Sequence, residues 1–248
     1  MEKLEVFPSS VFIDSFLDEE ARKMLREKVD YAEKNIKGII VSNSNGWHSP
    51  KNVFKKFDSE FDEFYVSKIK TKLIECIREY YDDNEKILNH DNWDIEYWVN
   101  INRASGFNKS HDHSLDNHWS GVSYLTDMGD VKNSEGRLFV ESKIVNSRGD
   151  YSWRIPQLIG KENKVDLPIE HVQNRIVIFP GTLWHRVEPV SSAVKERISI
   201  AFNAHNKFLT NGFEYKSKAE KIKNILRRDF RFAVVLSVAT LRRIKNIF

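Results

Sequence analysis

The sequence has very little cysteine, with Cys76 alone among 248 residues. A single cysteine excludes an intramolecular disulfide framework. Cys76 also falls within an apolar helical pattern, so we expect a buried, unreactive thiol rather than a nucleophile. No linker rich in proline, glycine and serine divides the chain, and no internal repeat is apparent. We therefore predict a single domain over residues 1–212, followed by a basic helical tail over residues 213–248.

Long apolar segments are also missing. The N-terminus, Met1 to Glu5, lacks the basic stretch and the apolar run that mark a secretory signal. The apolar run at residues 232–241 contains ten residues, whereas a helix needs about 20 to cross a bilayer. These two absences make the cytoplasm the expected location.

Positive charge is concentrated near the C-terminus. Residues 214–248 hold ten Lys or Arg against three Asp or Glu, a net charge of +7, so the remainder carries −4 of the overall +3. We favour a terminal helix that packs on the body or on a second subunit in a homodimer. The alternative is contact of residues 214–248 with a membrane interface or an acidic partner. Because the remainder is acidic and no recognition motif is present, we expect no nucleic-acid binding.

The pattern of apolar residues predicts helices first and strands afterwards. Helical spacing covers residues 18–34 and 59–81, whereas residues 42–50 have no periodicity, which predicts a loop. From Trp93 the period changes to two, as in a strand. Further strands are predicted at residues 120–126, 136–142, 151–155, 164–168, 174–179 and 196–204. This order predicts an α+β, mainly β fold, a double-sheet jelly roll with N-terminal flanking helices and a C-terminal helix.

Three histidines form the strongest candidate site. His111 and His113 are two residues apart, so on a strand their side chains project to the same face. His185, from a later strand, could complete the set. Imidazole suits iron, copper, nickel and zinc, and three protein ligands leave positions open for a substrate or oxygen. The alternative is that these are ordinary surface or core histidines, since an HxH pair is weak evidence by itself.

Ordered motifs surround these histidines between roughly residues 95 and 205. They are Trp98-x-Asn100, Gly106-x-Asn108-x-x-His111-x-His113, Ser120-Gly121-Val122-x-Tyr124-Leu125, Gly136-x-Leu138-x-Val140, Ile178-Phe179-Pro180, His185-Arg186-Val187-x-Pro189 and Glu196-Arg197-Ile198-Ser199-Ile200-Ala201-Phe202-Asn203. In this order and at this spacing, the chain resembles a family of 2-oxoglutarate/Fe(II)-dependent oxygenases found in bacteria and their phages. The resemblance implies the jelly-roll fold known as the double-stranded β-helix.

The resemblance also implies a reaction and a set of ligands. In such enzymes two histidines and usually a carboxylate hold Fe(II) on one face, leaving three positions for 2-oxoglutarate and dioxygen. The planar fork of Arg197 can bind the far carboxylate of 2-oxoglutarate bidentately, and Ser199 has the same strand parity. Tyr124 or Asn100 could assist by strand position. The implied activity is hydroxylation of an unidentified small-molecule or side-chain substrate, with succinate and CO2 as coproducts.

The sequence departs from the wider superfamily at the usual carboxylate position, which holds His113. Asp112 precedes it, where a regular strand directs the side chain to the opposite face unless a bulge intervenes. Asp116 and His118 form a second i, i+2 pair, which we place in a loop. We therefore predict the three histidines as the metal ligands, with Asp112 or Asp116 as the fallback carboxylate.

Two other classes of protein fit the same sequence features. A jelly roll with three histidines could be a cupin-like metal dioxygenase that binds its substrate directly and does not use 2-oxoglutarate. The chain could also be a non-catalytic jelly-roll binding module. Three tryptophans are candidate walls of the pocket, namely Trp98, Trp119 and Trp184. Substrate selection falls to loops such as 42–53, 104–119 and 143–162, whose residues carry no readable code.

Overall fold

A computed structural model of the protein describes residues 2–6, 9–40, 43–81, 83–113, 117–128, 135–141 and 166–209. Several sequence predictions lie outside these residues. They are the strand at 151–155, the loop 143–162, Asp116 and the C-terminal helix. Within the described residues, Met1–Leu209 is assigned to one compact unit by its internal contacts.

Ten strands and three α-helices make up the described part of the chain. The strands are β1 (Glu2–Val6), β2 (Ser9–Ser15), β3 (Asn43–His48), β4 (Trp93–His111), β5 (Trp119–Tyr124), β6 (Leu138–Glu141), β7 (Asp166–Ile169), β8 (Arg175–Pro180), β9 (Trp184–Val187) and β10 (Arg197–Asn206). The helices are α1 (Glu19–Asn35), α2 (Ser59–Ile77) and the single turn α3 (Glu85–Leu88). The predicted mainly β architecture with N-terminal flanking helices is confirmed.

The first two helices begin where the sequence supplies capping residues. The Asp18 carboxylate accepts a hydrogen bond from the backbone N–H of Ala21 at 2.8 Å, which caps α1. Asp58 caps α2 in the same way by accepting from Phe61 N–H at 3.0 Å. Each helix then buries an apolar face. These contacts confirm the helices predicted at residues 18–34 and 59–81, the second of which continues beyond α2 as a 3-10 turn over Arg78–Tyr80.

All ten strands belong to one sheet that curls. The strand order is β1-β2-β8-β5-β10-β4-β9-β6-β7, and β3 also pairs with β4. The long strand β4 makes the curl possible, because its first half pairs with β10 and its second half pairs with β9. We call the strands β1, β2, β8, β5, β10 and β4 the major sheet, and the strands β9, β6 and β7 the minor sheet.

Two hydrophobic cores lie on the two faces of the major sheet. The outer core packs α1 and α2 against alternate residues of β4, including Ile95, Tyr97 and Val99. The inner core joins strands from opposite ends of the sheet, because Val122 and Val177 of the major sheet cluster with Val140 and Ile169 of the minor sheet. The sheet therefore closes on itself as a jelly roll, and the face of β4 opposite the helices looks into the roll.

The prediction of a loop at residues 42–50 is wrong. Residues 43–48 form strand β3, which pairs antiparallel with β4 from Asn43↔Asn108 to His48↔Asn100. The segment is polar and the register shifts between Ser44 and Gly46, so no period of two marks it in the sequence. Its strand conformation comes from pairing with a long neighbour rather than from its own apolar pattern. Strands β1 and β2 were also not predicted.

None of the helices in the described ranges is long and apolar enough to cross a membrane.

Cys76 lies in α2 and is buried, as predicted. Burial raises the pKa of its thiol to about 12, which makes a thiolate nucleophile unavailable at neutral pH.

Candidate active site

The fold brings His111, His113 and His185 together, and we call these residues the histidine cluster. His111 and His185 face each other across β4 and β9, with ring centroids 4.4 Å apart. His113 follows the end of β4, where its backbone N–H donates to Gly181 O at 2.8 Å. The candidate ligand atoms of the three side chains all lie within 4.8 Å of one another. Strands distant in sequence therefore supply a compact set of three imidazoles.

Backbone carbonyls fix the orientation of two imidazoles. Nδ1 of His111 is 2.6 Å from Lys109 O, and Nδ1 of His185 is 2.9 Å from Leu183 O. Because a carbonyl oxygen only accepts, each Nδ1 carries the proton and donates. Each Nε2 then keeps its lone pair for a metal ion, which is the usual arrangement of metal-binding histidine.

The environment also keeps two of these imidazoles neutral. Burial, with smaller contributions from His111 and His113, lowers the pKa of His185 to about 3. Burial, then His111 and Lys51, lowers the pKa of His113 to about 4. Since a metal ion requires the neutral form of imidazole, protons do not compete for these two side chains near neutral pH.

No carboxylate joins the histidine cluster among the described residues. Asp112 is described but is not a member of the cluster, and Asp116 lies outside the described residues. His118 is also elsewhere, because its ring stacks on His205 at 4.7 Å and its Nδ1 accepts from the Asn206 backbone N–H. Among the described residues, the candidate metal ligands are therefore three imidazole nitrogens, and none of them carries a negative charge.

Arg197 is a buried cation with spare hydrogen-bonding capacity. Its side chain is 1% exposed, Nε donates to Gly136 O at 2.8 Å, and Nη1 donates to Ser199 Oγ at 2.9 Å. Among the described residues, Nη2 is buried without a hydrogen-bond partner and no carboxylate pairs with the guanidinium. Burial lowers the pKa of Arg197, yet an arginine remains charged in proteins. A buried charge is costly unless it is paired, so the site favours an anionic ligand.

Gly136 contributes to this arrangement through its backbone. Its φ of 63° lies in the left-handed region, which glycine adopts without the steric cost that other residues incur. A Cβ there would lie 2.4 Å from the Met128 side chain. Glycine therefore allows the turn before β6 to bring a carbonyl oxygen to the guanidinium.

Tyr124 and Asn100 lie on the strands beside Ser199. Ser199 on β10 pairs with Asn100 of β4 and with Tyr124 of β5, so the three side chains share one face. The Tyr124 ring lies 5.5 Å from Arg197 Cζ and 4.0 Å from the His171 ring. The Tyr124 hydroxyl and Asn100 Oδ1 are buried, and neither has a hydrogen-bond partner among the described residues.

A cavity of about 590 Å³ connects the histidine cluster with the buried Arg197. Its walls include the histidine cluster together with Asn100, Arg197 and Ser199. Apolar side chains such as Val122, Leu138 and Phe179 line the same space. The structure therefore places a candidate metal site and a buried arginine in one partly apolar cavity, whereas Tyr124 packs against Arg197 without being part of the cavity wall.

Of the three tryptophans predicted to line the pocket, one lies in the cavity wall and two do not. Trp98 lines the cavity and lies 6.0 Å from the His113 ring. Trp119 does not line it, because it packs against Phe12 in the outer core, and Trp184 is not part of the wall either. Sequence reasoning missed His48, which stacks on Trp98 at 6.0 Å. No strand pattern marked residues 43–48, so nothing in the sequence placed His48 against β4.

Comparisons with known proteins agree with this geometry. Residues 96–203 match the model of a family described as "Putative 2OG-Fe(II) oxygenase". No curated protein sequence matches the chain. Among solved structures, a Pseudomonas putida prolyl-4-hydroxylase is similar with a TM-score of 0.53 and 16% identity, over 79% of this chain and 92% of that one. A Trichoplax adhaerens prolyl hydroxylase, solved with a hypoxia inducible factor peptide fragment, has a TM-score of 0.53 and 12% identity, over 79% and 84% of the two chains.

The structural likenesses confirm the jelly-roll fold. The family match adds the chemistry, because residues 96–203 include the histidine cluster, Asn100, Arg197 and Ser199. The protein is a non-haem Fe(II)- and 2-oxoglutarate-dependent oxygenase, with Fe(II) as its metal and 2-oxoglutarate as its cosubstrate.

Proposed function

We propose that the protein couples oxidative decarboxylation of 2-oxoglutarate to hydroxylation of a small-molecule or side-chain substrate, with succinate and CO2 as coproducts. The proposal rests on a single cavity lined both by a three-histidine cluster and by a buried guanidinium that has no carboxylate partner in the part of the chain that the structure describes. One site suits a metal ion and the other suits the distal carboxylate of a dicarboxylic acid.

In this proposal His111, His113 and His185 hold the metal. The close spacing of their ligand atoms and the Nε2 lone pairs of His111 and His185 fit a divalent ion. Fe(II) held there would supply the oxygen chemistry: oxidative decarboxylation of 2-oxoglutarate provides two electrons and the C–H bond of the substrate provides the other two, so that one atom of O2 enters succinate and the other becomes the new hydroxyl group.

Arg197 and Ser199 bind the distal carboxylate of 2-oxoglutarate. Arg197 has an unused donor at Nη2, and Ser199 Oγ accepts from Nη1, which leaves the serine hydroxyl free to donate to the same carboxylate. Tyr124 is not part of the cavity wall, but burial raises the pKa of its hydroxyl, so this group stays protonated and can assist as a donor beside the Arg197 guanidinium. Asn100 is placed to bind a polar atom of the cosubstrate closer to the metal.

The residues of the cavity wall strengthen this recognition. Val122, Leu138 and Phe179 are apolar, so they keep water away from the guanidinium and lower the local dielectric constant. An ion pair between Arg197 and a carboxylate is worth more in such surroundings than in water. Apolar walls alone would not select an anion, so the selectivity rests on Arg197.

His113 at the usual carboxylate position changes the charge of the metal centre. Three imidazoles leave a divalent ion with a net charge of +2, whereas two imidazoles and a carboxylate leave +1. We infer that this difference alters the preference for metals or the activation of oxygen. A cupin-like enzyme with three histidines would not require Arg197, so the buried guanidinium supports the 2-oxoglutarate-dependent reaction over that alternative.

Turnover of the cosubstrate tests the proposal. We expect the Fe(II)-loaded protein to form succinate from 2-oxoglutarate in air, because many such reactions proceed slowly without the second substrate. His185→Ala removes a ligand and should abolish succinate formation. His205→Ala, a change to an exposed histidine outside the cavity, should retain it. Equal succinate formation by wild type and His185→Ala would contradict the proposed ligand set.

A further inference from the structure

The outward face of the minor sheet carries an ionic network centred on Arg186. Arg186 Nη1 donates to Glu141 Oε1 at 2.9 Å and lies 2.9 Å from Asp166 Oδ2. Arg186 Nε donates to Glu188 Oε1 at 2.7 Å. Arg186 Cζ also lies 4.7 Å from the centre of the Phe139 ring. One guanidinium therefore joins β9, β6 and β7 on the face opposite the cavity.

Glu141 extends this network to the strand that carries the other ligands. Its Oε2 accepts a hydrogen bond from Ser110 Oγ at 2.7 Å, while its Oε1 accepts from Arg186. Ser110 directly precedes His111 and Arg186 directly follows His185. One carboxylate thus bridges the immediate neighbours of two members of the histidine cluster.

Backbone pairing between those two strands is sparse. The register of β4 with β9 consists of Asn108↔Val187 and His111↔His185, with a shift between them. A ladder with so few pairs leaves the strand ends weakly held. The Ser110–Glu141–Arg186 bridge supplies the missing connection through side chains, at the point where His111 and His185 must face each other.

Glu141 also places a negative charge near ligands that carry none. Glu141 is buried, with 8% of the residue exposed, and its negative charge acts to raise the pKa of His185, which favours a positive charge on the imidazole. Of the three carboxylates that contact Arg186 among the described residues, Glu141 is the one whose charge acts to raise the pKa of His185. Such a charge favours a cation bound by the imidazoles.

We propose that Glu141 is a positioning residue of the metal centre, which holds the strands of His111 and His185 in register and places a buried negative charge behind a ligand set that lacks a carboxylate. The inference rests on the proposed metal site. It concerns metal affinity rather than the chemical step, because Glu141 does not line the cavity.

Anaerobic titration of the metal-free full-length protein with Fe(II) alone tests this inference. Glu141→Gln removes the charge with little change of shape, and Ser110→Ala removes the connection to β4 without changing charge. Residues that hold metal ligands in place without contacting the metal typically change metal affinity by about 10-fold to 100-fold. We therefore expect Kd for Fe(II) to rise by roughly that factor in Glu141→Gln. We expect Kd to rise in Ser110→Ala as well. Glu188→Gln is the matched control, since Glu188 contacts the same Arg186 but is not bonded to Ser110; its Kd should match that of wild type.

Urea unfolding of the metal-free variants separates affinity from folding. If Glu141→Gln does not fold, Ser110→Ala decides the question. Fe(II) affinities of the folded variants equal to wild type, or an equal loss in Glu188→Gln, would overturn the role of Glu141 and leave the proposed function standing. Failure of the wild type to bind Fe(II) would instead overturn the proposed metal site and this inference with it.

Discussion

At the scale of single residues, the unused donors around Arg197 define what the cavity can hold. The guanidinium already donates from Nε and Nη1 to protein atoms, which fixes its plane. Among the described residues, Nη2 and the Tyr124 hydroxyl are buried and have no hydrogen-bond partner. Unsatisfied buried polar groups are rare in folded proteins, so one on the buried cation and a second beside it indicate a ligand rather than a packing defect.

Tyr124→Phe tests the contribution of the second donor. Loss of one hydrogen bond costs about 0.5–1.5 kcal/mol, so we expect the KM for 2-oxoglutarate to rise between about twofold and tenfold with little change in kcat. Steady-state kinetics of succinate formation measure both. Tyr65→Phe is the control, because Tyr65 is equally buried but bonds to Ser123 in the outer core. A KM equal to that of wild type would restrict Tyr124 to a packing role.

At the candidate site, the sequence predicted which residues come together better than it predicted what holds them in place. The HxH pair, the distant His185 and the Arg197-x-Ser199 parity were all visible as motifs, and the structure brings them to one cavity. Glu141 was not visible, because its role depends on which strands pair. Its nearest functional neighbours, Ser110 and Arg186, are 31 and 45 positions away in sequence.

At the scale of elements, the strands crossing the middle of the major sheet have little room for change. Strand β5 lies between β8 and β10, and a Cβ at Gly121 would lie 2.4 Å from the Phe202 ring and 2.6 Å from Val177 O. The backbone oxygen cannot move without disturbing the β5–β8 ladder. The space available at this position, which is part of the cavity wall, therefore requires glycine.

Gly121→Ala should destabilise the protein. Forcing an extra methyl group into a packed core typically costs about 1–3 kcal/mol, so we expect the free energy of unfolding in urea to fall by roughly that amount. Gly181→Ala provides a comparison outside the ladder, where the nearest obstacle is Asn117 O at 2.4 Å in a connecting segment. Stability of Gly121→Ala equal to wild type would show that β5 and β8 can separate at no cost.

Elements with strong periodicity were predicted well and those without it were missed. The long apolar stripes of α1 and α2 and the alternation in β4 specify their own conformation. Strand β3 has no such stripe, and it becomes a strand only because β4 offers it an edge. Sequence patterns describe local preference, whereas β3 depends on a partner that follows it by about fifty residues.

At the scale of the whole molecule, the charge of the chain separates by region. The sequence carries a net +7 in residues 214–248 and −4 in the remainder. We propose that residues 1–212 contain the complete oxygenase domain, since the family match and the cavity residues all fall within them. The tail then serves packing or association rather than catalysis.

Comparison of the full chain with a chain ending at residue 212 tests the role of the tail. We expect both to bind Fe(II) and 2-oxoglutarate alike, and we expect neither to sediment with vesicles containing phosphatidylserine, because we favour a packed terminal helix. Sedimentation velocity should then show whether the full chain alone dimerises. Salt-sensitive binding of only the full chain to the vesicles would contradict the packed helix and favour the membrane interface.

We propose that one cavity holds Fe(II) at the histidine cluster and the distal carboxylate of 2-oxoglutarate at Arg197. Anaerobic titration of Fe(II)-loaded protein with 2-oxoglutarate, followed by the weak visible charge-transfer band of bidentate chelation, tests it most directly. We predict a saturable band for wild type, and a loss of at least about tenfold in affinity for Arg197→Ala, since a hydrogen bond to a charged group is worth about 1.5–3 kcal/mol. Arg103→Ala, which removes an exposed arginine paired with Glu33, should behave like wild type. No band despite a full equivalent of bound iron would contradict the account.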